Sequence, residues 1–285
     1  MRDLDPASLA QMPLPADRTG DKETRGRVLI IGGSLESPGG AMLAGIAALR
    51  AGAGKLQVAV AEAVQPHVAV ALPEAMVVPM PADVTAAARL ACELFQKADA
   101  AVVGPGMMDE AMVARLTSAL LKVRGGPPLV LDAAALAALR PDSVRIHGRT
   151  ILTPHAGEMA RLSGWSKQQV EADPLAIARE IAARYGAVVA MKGACTYVVA
   201  PDGTALRHPD GVFGLATSGS GDTLAGVMGG LLARGASTLE AAAWGVYLHG
   251  QAGVRLAKKV GPLGFLAREI LDEIAPAMAA ASPAA

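Results

Sequence analysis

The run Arg27-Val28-Leu29-Ile30-Ile31-Gly32-Gly33-Ser34 decides the fold, because a wholly apolar strand is stopped at once by glycines. Past Pro38-Gly39-Gly40, the alanine-rich residues 41–50 read as a helix, and Gly52-Ala53-Gly54 closes it. Leu56-Gln57-Val58-Ala59-Val60 is then the next strand. Strands without polar alternation are covered on both faces, which places this unit in a parallel sheet with helices on either side. The same alternation continues along the chain. Helices are expected near 62–70, 84–97, 109–122, 167–185, 222–234 and 238–257, with strands at 76–78, 100–103, 129–132, 187–191, 195–200 and 204–208. Ala200-Pro201-Asp202-Gly203 reads as a hairpin turn and adds antiparallel strands at an edge. The expected fold is a three-layer α/β/α sandwich with a mainly parallel central sheet and antiparallel edge strands.

Composition narrows the function classes. The 285 residues, 52% of them hydrophobic, fit one large α/β domain over 26–276. Residues 1–25 are expected as an extended or partly disordered segment, and 277–285 as a flexible Ala/Pro tail. The 26 basic and 26 acidic side chains cancel, so neither a nucleic acid nor an anionic membrane surface is indicated as a partner. No uninterrupted run of about 18 apolar residues occurs and the first residues lack a secretory pattern, which leads to a cytoplasmic expectation. Cys92 and Cys195 stand far apart and read as free thiols in a reducing compartment.

The chemistry concentrates in Gly219-Ser220-Gly221-Asp222-Thr223-Leu224-Ala225-Gly226, a glycine turn that feeds a helix. Glycines keep side chains away, so first-turn N–H groups can surround an anion there. Asp222 is then either a base that deprotonates a hydroxyl facing a bound phosphate, or a cap for the helix near Thr223. Gly32-Gly33-Ser34 and Gly104-Pro105-Gly106 are side-chain-poor turns at strand ends, without a P-loop or dinucleotide fingerprint. Each either contacts a ligand or packs a helix closely. In Leu152-Thr153-Pro154-His155-Ala156-Gly157-Glu158, His155 and Glu158 are three apart at a helix start. They read as a cap, or as a polar wall for substrate or hydrated Mg²⁺; zinc lacks a third ligand at suitable spacing. Lys192 ends an apolar strand and is either a phosphate contact or a surface charge. Glu74 is open in the same way between cleft and surface, and Asp132 closes an apolar strand where ligands gather in open α/β sheets.

In order along the chain, these segments resemble the ADP- or ATP-dependent NAD(P)H-hydrate dehydratase family, within the ribokinase-like superfamily. The resemblance spans roughly residues 25–275. It is carried by Gly32-Gly33-Ser34 with Pro38-Gly39, Ala48-Leu49-Arg50-Ala51-Gly52-Ala53-Gly54, Pro73-Glu74, Gly104-Pro105-Gly106, Leu131-Asp132-Ala133, Thr153–Glu158, Lys192-Gly193, Ala216-Thr217 with Gly219–Asp222, and Leu248-His249-Gly250. It implies repair of a nicotinamide cofactor hydrated at C6, the S epimer, by phosphorylation of the hydroxyl and loss of phosphate. NAD(P)H returns, with AMP released from ADP or ADP from ATP, and Mg²⁺ implied as counter-ion. Asp222 would be the catalytic base, aided by amides of Gly219, Ser220 and Gly221. Lys192, Gly193, Ala194 and Thr196 would bind the nucleotide together with that turn. Gly33, Ser34, Pro38, Ala41, Glu74, Gly106, Asp132 and His155 would bind the damaged cofactor with Asp222, and Glu158 would serve the metal indirectly.

The chain departs from the family pattern in three places. No tyrosine precedes Pro38, Ala134 stands where a second aspartate is usual, and Val212-Phe213-Gly214 replaces an Asn-Pro-Gly run. Many members carry an N-terminal epimerase domain; here a separate epimerase is expected. A homo-oligomer, commonly a tetramer in the family, is implied. Rival readings are a kinase of the same fold acting on a thiazole, pyrimidine or sugar alcohol, and a non-catalytic nucleotide-binding scaffold.

Overall fold

Apolar strands become stable only when helices cover both of their faces. The computed structural model describes residues 1–15, 20–139, 146, 148–209 and 211–281. Its strands are β1 (Arg2–Asp3), β2 (Arg27–Ile31), β3 (Lys55–Ala61), β4 (Ala75–Met80), β5 (Ala100–Val103), β6 (Leu129–Leu131), β7 (Thr150–Leu152), β8 (Val188–Met191), β9 (Thr196–Val199) and β10 (Ala205–His208). They form one sheet in the order β1-β10-β9-β8-β7-β6-β5-β2-β3-β4. Pairing is parallel except where β9 meets β8 and β10. The expected hairpin is therefore present, but β1 covers it and takes the outermost place.

Period-two alternation sorts the side chains of β2 into two cores. Val28 and Ile30 face one that holds α2 (Gly39–Arg50), α3 (Gln65–Ala71), α9 (Ser220–Ala233), α10 (Thr238–Lys259) and α11 (Ala267–Ala281). Leu29 and Ile31 face the other, with α4 (Val84–Phe95), α5 (Glu110–Leu121), α6 (Ala156–Ser163), α7 (Lys167–Ala172) and α8 (Pro174–Tyr185). Gly226 and Gly230 of α9 rest on the backbone of Ala44 and Ala48 in α2, where an added Cβ would meet carbonyl oxygens. That contact sets the two helices side by side with both N-termini at the same end of the sheet.

The structure departs from the sequence expectations at both ends. The lead-in forms β1 and α1 (Pro6–Ala10), capped by Asp5, whose Oδ1 accepts from Ser8 N at 2.7 Å. Leu4 and Leu9 are buried, and Trp244 Nε1 donates to Met12 O at 2.7 Å. Elements this short show no readable period; tertiary contacts hold them. The expected loose tail is also partly ordered, because α11 runs through Pro276 to Ala281 and buries Ala277. Residues 282–285 lie outside the described ones. The helix expected over 167–185 is split at Asp173, since Pro174 lacks an N–H and disfavours a helical residue before it. Asp173 instead caps α8, accepting from Ala176 N at 3.1 Å.

Candidate active site

Chain order reverses between β2 and β5, and the loops leaving these strands meet at that switch point. Gly33 N donates to Pro105 O and Ser34 N to Gly106 O, both at 2.8 Å. Gly104, at φ 120°, lies where a Cβ would strike the carbonyl of Asp132, so the turn requires glycine. Helix α2 starts here behind Pro38 without a side-chain cap, and Ala41 is fully buried beneath the turn. Ser34 Oγ is enclosed without a hydrogen-bond partner. An enclosed hydroxyl left unpaired is costly unless a ligand completes it.

One strand further along the sheet the crevice becomes charged. Asp132, 2% exposed, ends β6 and is followed by Ala133 at φ 48°, the one non-glycine residue with positive φ among those described. Its Oδ1 accepts from Thr153 Oγ1 at 2.6 Å and from Lys192 Nζ at 2.9 Å. Lys192 Nζ also lies 3.9 Å from Glu158 Oε2. Desolvation opposes the lysine's charge, but Asp132, Glu158 and Asp222 outweigh it and raise its pKa. The pair lies against the first turn of α9: a Cβ on Gly221 would stand 3.2 Å from Lys192 Nζ and 3.8 Å from Asp132 Oδ2.

The start of α9 removes the capping reading of Asp222. Its N-cap is Gly219, left-handed at φ 87°, and no side chain caps the helix. Thr223 N and Oγ1 each lie 3.1 Å from Gly219 O, and Ser220 N donates to Thr217 O at 3.2 Å. The N–H groups of Gly219, Gly221 and Asp222 have no partner among the described residues, and those of Gly221 and Asp222, inside the helix's first turn, are the helix amides open to an anion. The Asp222 carboxyl is not a cap. Desolvation and then the charge of Asp132, aided by Glu158 and opposed by Lys192, push its pKa up to about 6. A carboxylate at that value is poised to take a proton near neutral pH.

Other expected residues are placed differently. Ser220 is buried, with its N–H committed to Thr217 and its hydroxyl beside His249 on α10, so it is not one of the open amides. Asp132 is enclosed, and its Oδ1 is taken up by Lys192 and Thr153. His155 is the N-cap of α6: its Nδ1 accepts from Gly157 N at 3.0 Å and Glu158 N at 3.3 Å, and Glu158 Oε2 accepts from His155 N at 2.9 Å. Gly193 and Ala194 are exposed on the turn after Lys192, and Thr196 opens β9. Glu74 is exposed at the amino end of β4, the opposite end of the sheet from the crevice, which removes it from the site. Thr153 and His249 stand in segments that carry the resemblance, but sequence reasoning gave neither a role in the site. The available signals were a hydroxyl directly after β7 and a histidine within the alanine-rich α10. Among the described residues no group of three or more His, Cys, Asp or Glu is arranged to hold a metal ion.

The family model described as NAD(P)H-hydrate dehydratase matches residues 28–276. The chain belongs to the NAD(P)H-hydrate dehydratase family. It is 48% identical over 279 residues to the ADP-dependent (S)-NAD(P)H-hydrate dehydratase of Xanthomonas campestris pv. campestris, covering 96% of this chain and 95% of the relative. It is 37% identical over 262 residues to the bifunctional NAD(P)H-hydrate repair enzyme of Escherichia coli, covering 91% of this chain but only 49% of that longer protein. The crystal structure of the Bacillus subtilis ADP/ATP-dependent NAD(P)H-hydrate dehydratase, co-crystallised with ATP and Mg²⁺, superposes with a TM-score of 0.88 at 29% identity and 99% coverage of both chains. The fold is ribokinase-like, and in this chain the open amides and the raised carboxylate occupy one end of one helix.

Proposed function

We propose that the chain dehydrates the S epimer of hydrated NADH and NADPH, using ADP or ATP to phosphorylate the C6 hydroxyl. The observation that carries this reading is Asp222, a carboxyl with a pKa of about 6 that accepts no hydrogen bond among the described residues, beside two unpaired helix N–H groups. In this scheme Asp222 takes the hydroxyl proton as the oxygen attacks the terminal phosphorus, and the bond from that phosphorus to the bridging oxygen breaks. AMP leaves when ADP is used, or ADP when ATP is used. Gly221 and Asp222 N–H groups and the α9 dipole stabilise the charge on the equatorial oxygens. Lys192, held by Asp132, which in turn accepts from Thr153, contacts the nucleotide phosphates as a fixed positive charge, with Gly193, Ala194 and Thr196 along the same side. Phosphate then leaves C6, pushed by the ring nitrogen's electron pair. Loss of a proton from the neighbouring carbon restores the ring double bond.

Gly33, Ser34, Pro38 and Gly106 line the side that receives the damaged cofactor, with Ala41 buried beneath them rather than in contact, and Ser34 Oγ has a free hydrogen-bonding capacity to offer it. His155 and Glu158 close the third wall. The donor set fits Mg²⁺ held mainly by nucleotide phosphates and water, with Glu158 as an outer partner, because a closed protein cage is absent among the described residues. When bound, the cation neutralises phosphate charge during transfer. We place the protein in the cytoplasm as a homo-oligomer, with the tetramer as the assembly to test. No helix among the described residues is long and apolar enough to cross a membrane.

The test is recovery of nicotinamide absorbance from hydrated NADH with ADP or ATP and Mg²⁺. Turnover of the S epimer alone, with the R epimer consumed only after an epimerase is added, is the expected outcome. Failure with both nucleotides and both epimers overturns the reading. Accumulation of a stable phosphorylated alcohol instead of NADH would convert it to a kinase.

A further inference from the structure

His249 is a half-buried titratable side chain on α10 to which the reaction scheme assigns no task. Its Nε2 lies 2.9 Å from Ser220 Oγ and 3.1 Å from Ser220 O. A carbonyl oxygen only accepts, so the partners assign the hydrogen to Nε2, donated to the carbonyl with the hydroxyl as a second acceptor. Desolvation, opposed by the Ser220 carbonyl and helped by Lys192 and His208, lowers the imidazole's pKa to about 4. The ring is thus neutral near pH 7 and keeps this tautomer.

The consequence follows from the planarity of the peptide. Ser220 C=O and Gly221 N–H belong to the same trans amide and point in opposite directions. Holding the carbonyl on the α10 side therefore keeps the Gly221 N–H on the opposite side of that peptide, at the open end of the helix. Ser220 is the first residue of α9, so its carbonyl also accepts within the helix's first turn, and the His249 Nε2–H is a second donor to the same oxygen.

We propose that His249 is a positioning residue whose Nε2–H clamps the Ser220–Gly221 peptide, so that the Gly221 N–H faces the transferring phosphoryl group. This rests on the dehydratase reading above. A glutamine places its amide nitrogen near the imidazole Nε2 position, whereas asparagine falls short of it. His249→Asn in the full chain is expected to lower kcat about tenfold, as loss of one charge-facing hydrogen bond predicts, with KM for the hydrated cofactor changed less than about threefold. His249→Gln is expected to recover most of kcat. A purely structural tie between α9 and α10 would lower the melting temperature of both variants without this difference between them.

Two further readouts do not depend on turnover. Calorimetric titration with ADP should show about tenfold weaker binding for His249→Asn and near-normal binding for His249→Gln. Imidazole ¹⁵N shifts in the folded wild-type chain should report the Nε2–H form for His249. If the wild-type chain shows no dehydratase activity, the functional reading falls and these two measurements still judge the clamp. Wild-type kcat and ADP affinity in His249→Asn, equal impairment of both variants, or an Nδ1–H tautomer would each overturn it.

Discussion

Helices α2 and α9 lie side by side and both open on the crevice without a side-chain cap, yet only one end carries titratable chemistry. At α9 the free amides of Gly221 and Asp222 face Lys192, Asp132 and Glu158, and the Asp222 carboxyl is pushed up to about 6. At α2 the surroundings are Gly33, Gly39, Gly40 and Gly106, with Ser34 Oγ as the enclosed unpaired polar atom. A helix N-terminus alone supplies partial positive charge and donors, enough to hold an anionic ligand. Catalysis needs a proton acceptor whose pKa has been shifted, and neighbouring charge and burial supply that only at α9.

The comparison breaks most visibly if the two ends respond alike to substitution. Asp222→Asn should lower kcat by about 10²- to 10⁴-fold while leaving ADP affinity within about twofold, as measured by steady-state rates and calorimetry. The wild-type kcat/KM should rise with pH through about 6, because the carboxyl must be ionised to act; that limb should vanish from any residual activity of the variant. The same raised pKa has a sign for stability. The protonated carboxyl fits the fold better, so its contribution is fully present below the ordinary aspartate value near 3.8 and is lost as pH rises through about 6. Asp222→Asn should therefore melt higher than wild type at pH 8 and at about the same temperature at pH 3.5.

Lys192→Met sharpens the contrast next. It leaves Asp132, 2% exposed, without its charge partner and should cost about 3–5 kcal/mol in denaturant unfolding. Replacing both, as Asp132→Leu with Lys192→Met, should recover most of that stability but not the activity. On the α2 side the effect is expected in binding alone. Ser34→Ala should raise KM for the hydrated cofactor about fivefold, the scale of one neutral hydrogen bond, with kcat little changed. Glu74→Ala should leave both parameters within about twofold, since exposed surface substitutions are close to neutral. A larger loss would show that Glu74 reaches a site despite lying at the amino end of β4.

The layered fold was legible because β2, β5 and β6 are uninterrupted apolar runs, the first two stopped by glycines and the third by Asp132, a pattern that survives without tertiary information. Where propensity was weak, legibility failed. Three residues, Thr150–Leu152, form β7 only because β6 and β8 flank them. The two residues of β1 pair with β10 from some two hundred positions away. The periodic stretch Ile270-Leu271-Ile274 of α11 passed unread because Pro276 falls inside its helix. In the crevice, Asp222 and Lys192 were recognisable as residue types at glycine turns, but their partners were not. Thr153 stands 21 positions from the carboxylate it bonds, and His249 stands 29 positions from Ser220.

From the chain alone came the strand–turn–helix order, the glycine turns that any anion site of this kind requires, and the aspartate that opens α9. Those follow from local rules: burial period, backbone freedom and unpaired helix-end amides. Tertiary structure decided which end of the sheet each residue reaches, that Ser220 turns inward while Gly221 and Asp222 stay open, and that Asp132 pairs with Lys192. It did so because hydrogen bonds and pKa shifts depend on distances of a few ångströms, which packing sets and sequence spacing does not.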